Sequence, residues 1–209
     1  LLARLFQFLP LGSLAFRTNL MSAIATVLAA VLIYEIVAHA RMPSGSRPAW
    51  LAGMAAGYAF GLAPLVWSQA VITEVYALQA FLTALILYLY TRPARPGNAG
   101  QQQRDAWRGL VLGLAMGNHA TTLLLVPAAL ILGSIQDRGG SEAGTNGKLR
   151  WLADLKFDRS AFLRQSAAFA AGLTIYLVIP LRALAYPSVN WGNAVTLARF
   201  WWLVSGQLY

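Results

Sequence analysis

The sequence predicts an all-α integral membrane protein, a bundle of transmembrane helices, and three observations predict it. Of its 209 residues 58% are hydrophobic and only 11% charged, with a positive mean hydropathy, where an average soluble domain carries roughly 25% charged residues. Several apolar runs are long enough to cross ~30 Å of hydrocarbon at about 1.5 Å per residue. The basic residues fall in short runs between those segments rather than along one stripe. Membrane topology therefore accounts for the net charge of +9, and no nucleic-acid partner is expected. Without cysteine there is neither a disulfide framework nor a thiolate metal site. The opening on Leu1 and the close within WWLVSGQLY lead us to expect a single transmembrane domain, residues 1–209, that is incomplete at both ends.

Taken in order, residues 1–11 (LLARLFQFLPL) are too short to cross a bilayer and carry Arg4 and Gln7 in an apolar frame, which predicts an interfacial helix ended by Pro10 and Gly12. Residues 18–38 are a full crossing, with Glu35 and His39 as a boundary pair beside Arg41. A second crossing is predicted over 51–67, where Gly53, Gly57 and Gly61 form a small-residue stripe that lets another helix approach. Pro64 ends or kinks it. A third runs from Val75 to Tyr90, and TRPARPGNAGQQQR at 91–104 predicts an exposed loop. Gly109, Gly113 and Gly117 repeat the four-residue spacing before GNHATT interrupts it. Two passes between 109 and 134 are short for full spans, so a pair of short or broken helices is expected there, with Asn118 and His119 at the turn. Residues 136–164 form a long polar loop, and 165–184 a last crossing. The aromatic remainder, 188–209, suits an interface.

Charge sets the orientation. Of the 16 basic residues, 12 lie in the loops at 40–48, 91–108 and 136–164: Arg41, Arg47, Arg92, Arg95, Arg104, Arg108, Arg138, Lys148, Arg150, Lys156, Arg159 and Arg164. The positive-inside rule puts these loops in the cytoplasm; a bacterial inner membrane is the expected location. Only Arg4, Arg17, Arg182 and Arg199 remain on the outer side.

Glu74, Asn118, His119, Arg182 and Asn190 share that outer face. Glu74 stands with Gln69, Thr73 and Tyr76 in PLVWSQAVITEVYALQ, an otherwise apolar stretch. An acid at the bilayer centre costs at least ~2.5 kcal/mol, so it faces a protein interior or a watery cavity; at an interfacial helix start it instead meets the positive end of the macrodipole. Both readings are open. Arg182 and His119 suit a phosphate, and Asn190 and Trp191 suit a sugar, through amide hydrogen bonds and an indole covering a ring face. Each has a structural alternative: His119 as a helix cap, Arg182 snorkelling, Trp191 in an aromatic belt. No metal site is expected, because His39 and His119 lie on opposite sides.

Four stretches carry a family resemblance: PLGSLAFRTNLMSA (10–23), PLVWSQAVITEVYAL (64–78), LGLAMGNHATTLLLVPA (112–128), and IPLRALAYPSVNWGN (179–193) followed by FWWLVSGQLY. In these the chain resembles a family of polytopic membrane proteins long carried as a domain of unknown function, whose animal members are protein O-mannosyltransferases of the GT-C type. The resemblance implies transfer of a sugar from a polyprenyl-phosphate donor, on the outer face, to a protein or glycan acceptor. It also implies a principal catalytic acid upstream of Leu1, so that the candidates here (Glu74, Gln69, Tyr76, Asn118, His119, Arg182, Asn190 and Trp191) are substrate-binding residues. No cofactor is expected beyond the lipid-phosphate donor. A lipid or solute transporter and a non-catalytic packing module are the alternatives from other classes.

Overall fold

Helix boundaries fall where the sequence supplies caps and breakers. In the computed structural model, which describes residues 2–40, 49–91, 98–137 and 155–207, α1 (Leu2–Phe6) is followed by a turn in which Gly12 adopts φ +45°. Glycine takes that left-handed conformation at no Cβ cost. Ser13 then caps α2 (Leu14–Ala38), its Oγ accepting from the Phe16 amide at 3.2 Å. The guanidinium of Arg17 donates to the backbone carbonyls of Gln7, Leu11 and Gly12, fixing the turn between α1 and α2.

α3 (Ala49–Gly61) and α4 (Pro64–Ala70) are two pieces of one apolar stretch, bent by 64° at the break. Pro64 occupies the first turn of α4, where its missing N–H costs nothing, whereas continuing α3 through it would leave a carbonyl unbonded. The bend leaves an apolar cavity of ≈ 560 Å³ between α2, α3 and α4. Next come α5 (Val75–Thr91), α6 (Asn98–Asn118), a 3-10 turn (Ala120–Leu124) and α7 (Val126–Gly133). β1 (Ile135–Asp137) and β2 (Leu155–Phe157) form a short antiparallel ladder with Gln136 opposite Lys156. Asp158 caps α8 (Arg159–Leu173), its Oδ1 accepting from the amides of Ser160 and Ala161 at 2.8 and 3.1 Å. These bonds, with one from the Ser160 hydroxyl, hold the carboxyl below its ordinary pKa. A 3-10 turn (Thr174–Leu177) joins α8 to α9 (Val178–Leu184), and another (Trp191–Asn193) precedes α10 (Leu197–Val204).

α2 packs on α3 and α5, α5 on α6, and α6 on α8. Small residues make these approaches possible. A Cβ added at Gly53 would lie 2.9 Å from the Tyr34 carbonyl oxygen and the Ala38 side chain of α2, and one added at Gly109 or Gly113 would overlap the carbonyls of Gln165 or Phe169 in α8. Alanines dominate the buried set, with Ile86, Val111, Leu112, Ala115 and Ala129 forming the core shared by α5, α6 and α7. Large apolar side chains point outward instead, among them Leu65, Leu124 and Leu197. This inside-out pattern suits a helix bundle solvated by lipid and held by close backbone packing.

The protein is an all-α integral membrane protein. Leu14–Ala38 and the continuous stretch Arg159–Leu184 are each long and apolar enough to cross a membrane, and the bent pair of α3 and α4 adds a broken span. Pro64 does kink the second stretch, and the second limb of the 109–134 hairpin is broken as expected. Four expectations need correction. The first limb is one continuous helix of 21 residues, and the exposed loop predicted for 91–104 gives way to that helix at Asn98. The polar residues there are absorbed by pairing: Asp105 is fully buried and Arg108 nearly so. The polar stretch 136–164 likewise ends early, because the Asp158 cap starts α8 at Arg159. The interfacial helix is confined to Leu2–Phe6. The loops expected at 41–48 and 92–97, and the centre of the long loop at 138–154, lie outside the described residues.

Candidate functional site

The polar outer-face residues resolve into two clusters. The first is built where α5 begins beside the turn that ends α6. Glu74 immediately precedes α5, and its side chain is exposed, with no partner among the described residues. Its position is that of an acid at the positive end of a helix. Thr73, just before it, donates to Oδ1 of Asn19 on α2, tying the segment to the longest helix. Across from Glu74, the Asn118 side-chain amide donates to the Val75 carbonyl (3.2 Å) and to Oε1 of Gln79 (3.1 Å), while Gln79 Nε2 donates to Thr122 Oγ1 at 2.8 Å. The end of α6 is thereby stitched to the first turn of α5.

His119 caps the 3-10 turn, as its structural alternative requires. Its Nδ1 lies 2.9 Å from Thr121 Oγ1 and 3.3 Å from the Thr121 amide nitrogen. The amide of Thr121 donates to Nδ1, an arrangement that in the neutral ring puts the proton on Nε2. The imidazole also faces Tyr76, with ring centroids 5.8 Å apart and planes tilted by 44°. The cluster thus offers an imidazole beside an exposed aromatic ring, with the Glu74 carboxylate two positions before that ring in the chain. Gln69 is not part of it by any described bond. It lies on α4, where its Oε1 is buried and meets no hydrogen-bond partner among the described residues.

The second cluster lies at α9 and the turn after it. Arg182, Asn190 and Trp191 line one cleft of ≈ 630 Å³ together with Arg4 of α1. Asn190 is structurally committed, its amide donating to the Ala183 carbonyl (3.2 Å) and to Asn193 Oδ1 (3.0 Å). Trp191 is exposed. The Arg182 side chain makes no described hydrogen bond or ion pair, and His119 is not among the residues that line this cleft. Among the described residues no three His, Asp or Glu side chains gather as a metal-holding group.

A third polar group, at the opposite end of α6 from Asn118, was not foreseen. Oδ2 of the buried Asp105 accepts from Arg164 Nη2 (2.7 Å) and Nε (3.1 Å), and its Oδ1 from Gln101. Arg108 donates to the carbonyls of Leu89 and Tyr90 while its guanidinium lies 4.4 Å from the Tyr90 ring centroid. Tyr90 in turn donates to Gln165 Oε1 at 3.0 Å. Gln79 and Gln165 were legible as amides inside apolar runs, yet nothing in their own neighbourhoods names the partner.

A bundle of lipid-facing helices with a polar cluster at one end defines a polytopic α-helical membrane protein with a candidate site at its surface. The sequence profile described as the protein O-mannosyl-transferase TMEM260 N-terminal domain matches residues 1–138, and the chain belongs to this family. It is 28% identical over 197 residues to the mouse protein O-mannosyl-transferase TMEM260, a match covering 91% of this chain and 25% of the relative. The chain therefore spans about a quarter of that relative's length. No solved structure matches it.

Proposed function

We propose that this chain is part of a membrane glycosyltransferase of the GT-C type, which moves a sugar from a polyprenyl-phosphate donor to a protein acceptor on the outer face of the membrane. The observation that carries the reading is the match to the O-mannosyl-transferase family over residues 1–138, because that range contains the whole of the first cluster, from Thr73 to Thr122. The name of the mouse relative makes mannose the first sugar to try. In this reading Glu74 accepts a hydrogen bond from a substrate hydroxyl, His119 donates through Nε2, and the exposed Tyr76 and Trp191 rings cover apolar sugar faces. Arg182 meets the donor phosphate. Asn190 and Asn118 shape the two turns. None of these residues is assigned the catalytic base.

Charge bias supports an outer-face site, since the basic segments lie at the other ends of the helices. A relative from mouse lends no support to a bacterial inner membrane in particular. The broken α3–α4 pair favours one other reading, a transporter, because discontinuous helices border substrate sites in such proteins.

The test is Glu74→Gln in the full-length protein, assayed for transfer from polyprenyl-phosphate mannose. Loss of a charged hydrogen bond at the substrate lowers transfer by about ten- to a hundredfold at unchanged expression. Wild-type transfer in this variant removes Glu74 from the site. Movement of donor across proteoliposomes without any transfer supports the transporter.

A further inference from the structure

The cleft beside α9 holds two cations from opposite ends of the chain. Arg4 comes from the first turn of α1, and Arg182 from α9, 178 positions later; both line the same space with Val178, Leu203, Asn190 and Trp191. Neither guanidinium has an acidic partner among the described residues. Arg4 is bonded only to the neutral Gln7 Oε1, at 2.8 Å, and rests 5.8 Å from the Phe8 ring centroid, and Arg182 makes no described side-chain hydrogen bond. Among the described residues no carboxylate lines the cleft, so none there offsets its two positive charges.

The placement of Arg4 is built rather than incidental. Arg17 is spent on three carbonyls at the end of α1 and in the turn after it, which fixes how α1 leaves α2 and hence where Arg4 lies. Of the four arginines on the side that positive charge generally avoids, one is thus a clamp and two converge on a single cleft. Val178, Leu203 and Trp191 give that cleft an apolar wall. Paired guanidiniums beside an apolar wall match an anion with forked oxygens attached to a hydrocarbon.

We propose that Arg4 and Arg182 together bind the phosphate of a membrane lipid, a site to which α1 contributes as much as α9. The proposal rests on the transferase reading for the identity of that lipid as the donor, and on the cleft alone for phosphate binding. It assigns the phosphate to a pair of arginines and leaves His119, in the other cluster, to the sugar or the acceptor.

Full-length protein in detergent, as wild type, Arg4→Gln, Arg182→Gln and the double variant, is titrated with farnesyl phosphate, farnesol and inorganic phosphate. Farnesyl phosphate binds more tightly than farnesol to the wild type. Each single substitution weakens farnesyl phosphate by about tenfold, the loss of one charge-assisted contact, and leaves farnesol unchanged. Farnesyl phosphate binding that is unaltered in the double variant overturns the site. Inorganic phosphate that binds as tightly as farnesyl phosphate overturns the lipid assignment. If Arg182→Gln does not accumulate, Arg4→Gln decides alone, because Arg4 is exposed on a five-residue helix and its described side-chain contacts are local ones, to Gln7 and Phe8. Binding that is lost as expected, in a protein that transfers no sugar to any acceptor, upholds the cleft and removes the transferase reading. Transfer with phosphate binding intact in the double variant does the reverse.

Discussion

Asp105 shows what a single side chain does in this bundle. It is a carboxylate with 0% exposure, two bonds from Arg164 and one from Gln101, and removing it leaves a guanidinium facing a polar hole. Breaking a fully buried pair costs about 3–5 kcal/mol. Because the Arg164 side chain is 31% exposed and can turn to water, Asp105→Ala is expected to destabilise by about 2–3 kcal/mol. Thermal unfolding in detergent at one fixed scan rate reads it; an unchanged midpoint would show that the pair is dispensable. Glu74 is the opposite case. Its exposure and lack of a described partner mean that its removal tests function rather than folding.

At the scale of elements, the crossing of α6 on α8 is set by glycine. Gly113 faces Gly172, with an added Cβ placed 2.8 Å from the Gly172 Cα and overlapping the Phe169 carbonyl. Both neighbours are backbone, so neither yields as a flexible side chain would. Gly113→Val therefore separates the helices and destabilises by more than about 3 kcal/mol, beyond the usual 1–3 kcal/mol of overpacking. A variant that accumulates and unfolds like wild type would show that the helices can slide apart cheaply. Gly61, where an added Cβ meets only Ala30 Cβ at 3.7 Å, is the control position: Gly61→Ala should be tolerated. The two stripes look alike in sequence, and in each the first two glycines meet backbone of the facing helix while the third meets only side chains, the approach being closer in the second stripe.

For the whole molecule, the proposed orientation makes a simple prediction. A topology reporter inserted between residues 138 and 154 scores cytoplasmic, and one inserted after Pro187 scores external; the reverse result would invert the placement of both polar clusters. The charge count behind this is weaker than it looked from the sequence, since Arg108 and Arg164 are engaged in buried bonds and are not free loop charges. Lys156 in β2 and Arg159 at the start of α8 remain exposed, on the same side.

The sequence by itself determined the helical membrane class, the break at Pro64, the turn at Asn118 and His119, and the family. All of these follow from local properties: hydropathy summed over a helix length, a proline without an N–H, a glycine-rich interruption, a set of short motifs. The start of α6 at Asn98 escaped it for the same reason, because residues 98–108 are polar in themselves and become helical by pairing with Arg164, 59 positions from Asp105. Only the tertiary structure decided which polar groups meet. It joined Asn118 to Gln79 and set Arg4 and Arg182 along one cleft. Placements that bring together residues 39 to 178 positions apart depend on how helices pack, and helix packing here is fixed by backbone approach at small residues rather than by any signal carried beside the polar residues themselves.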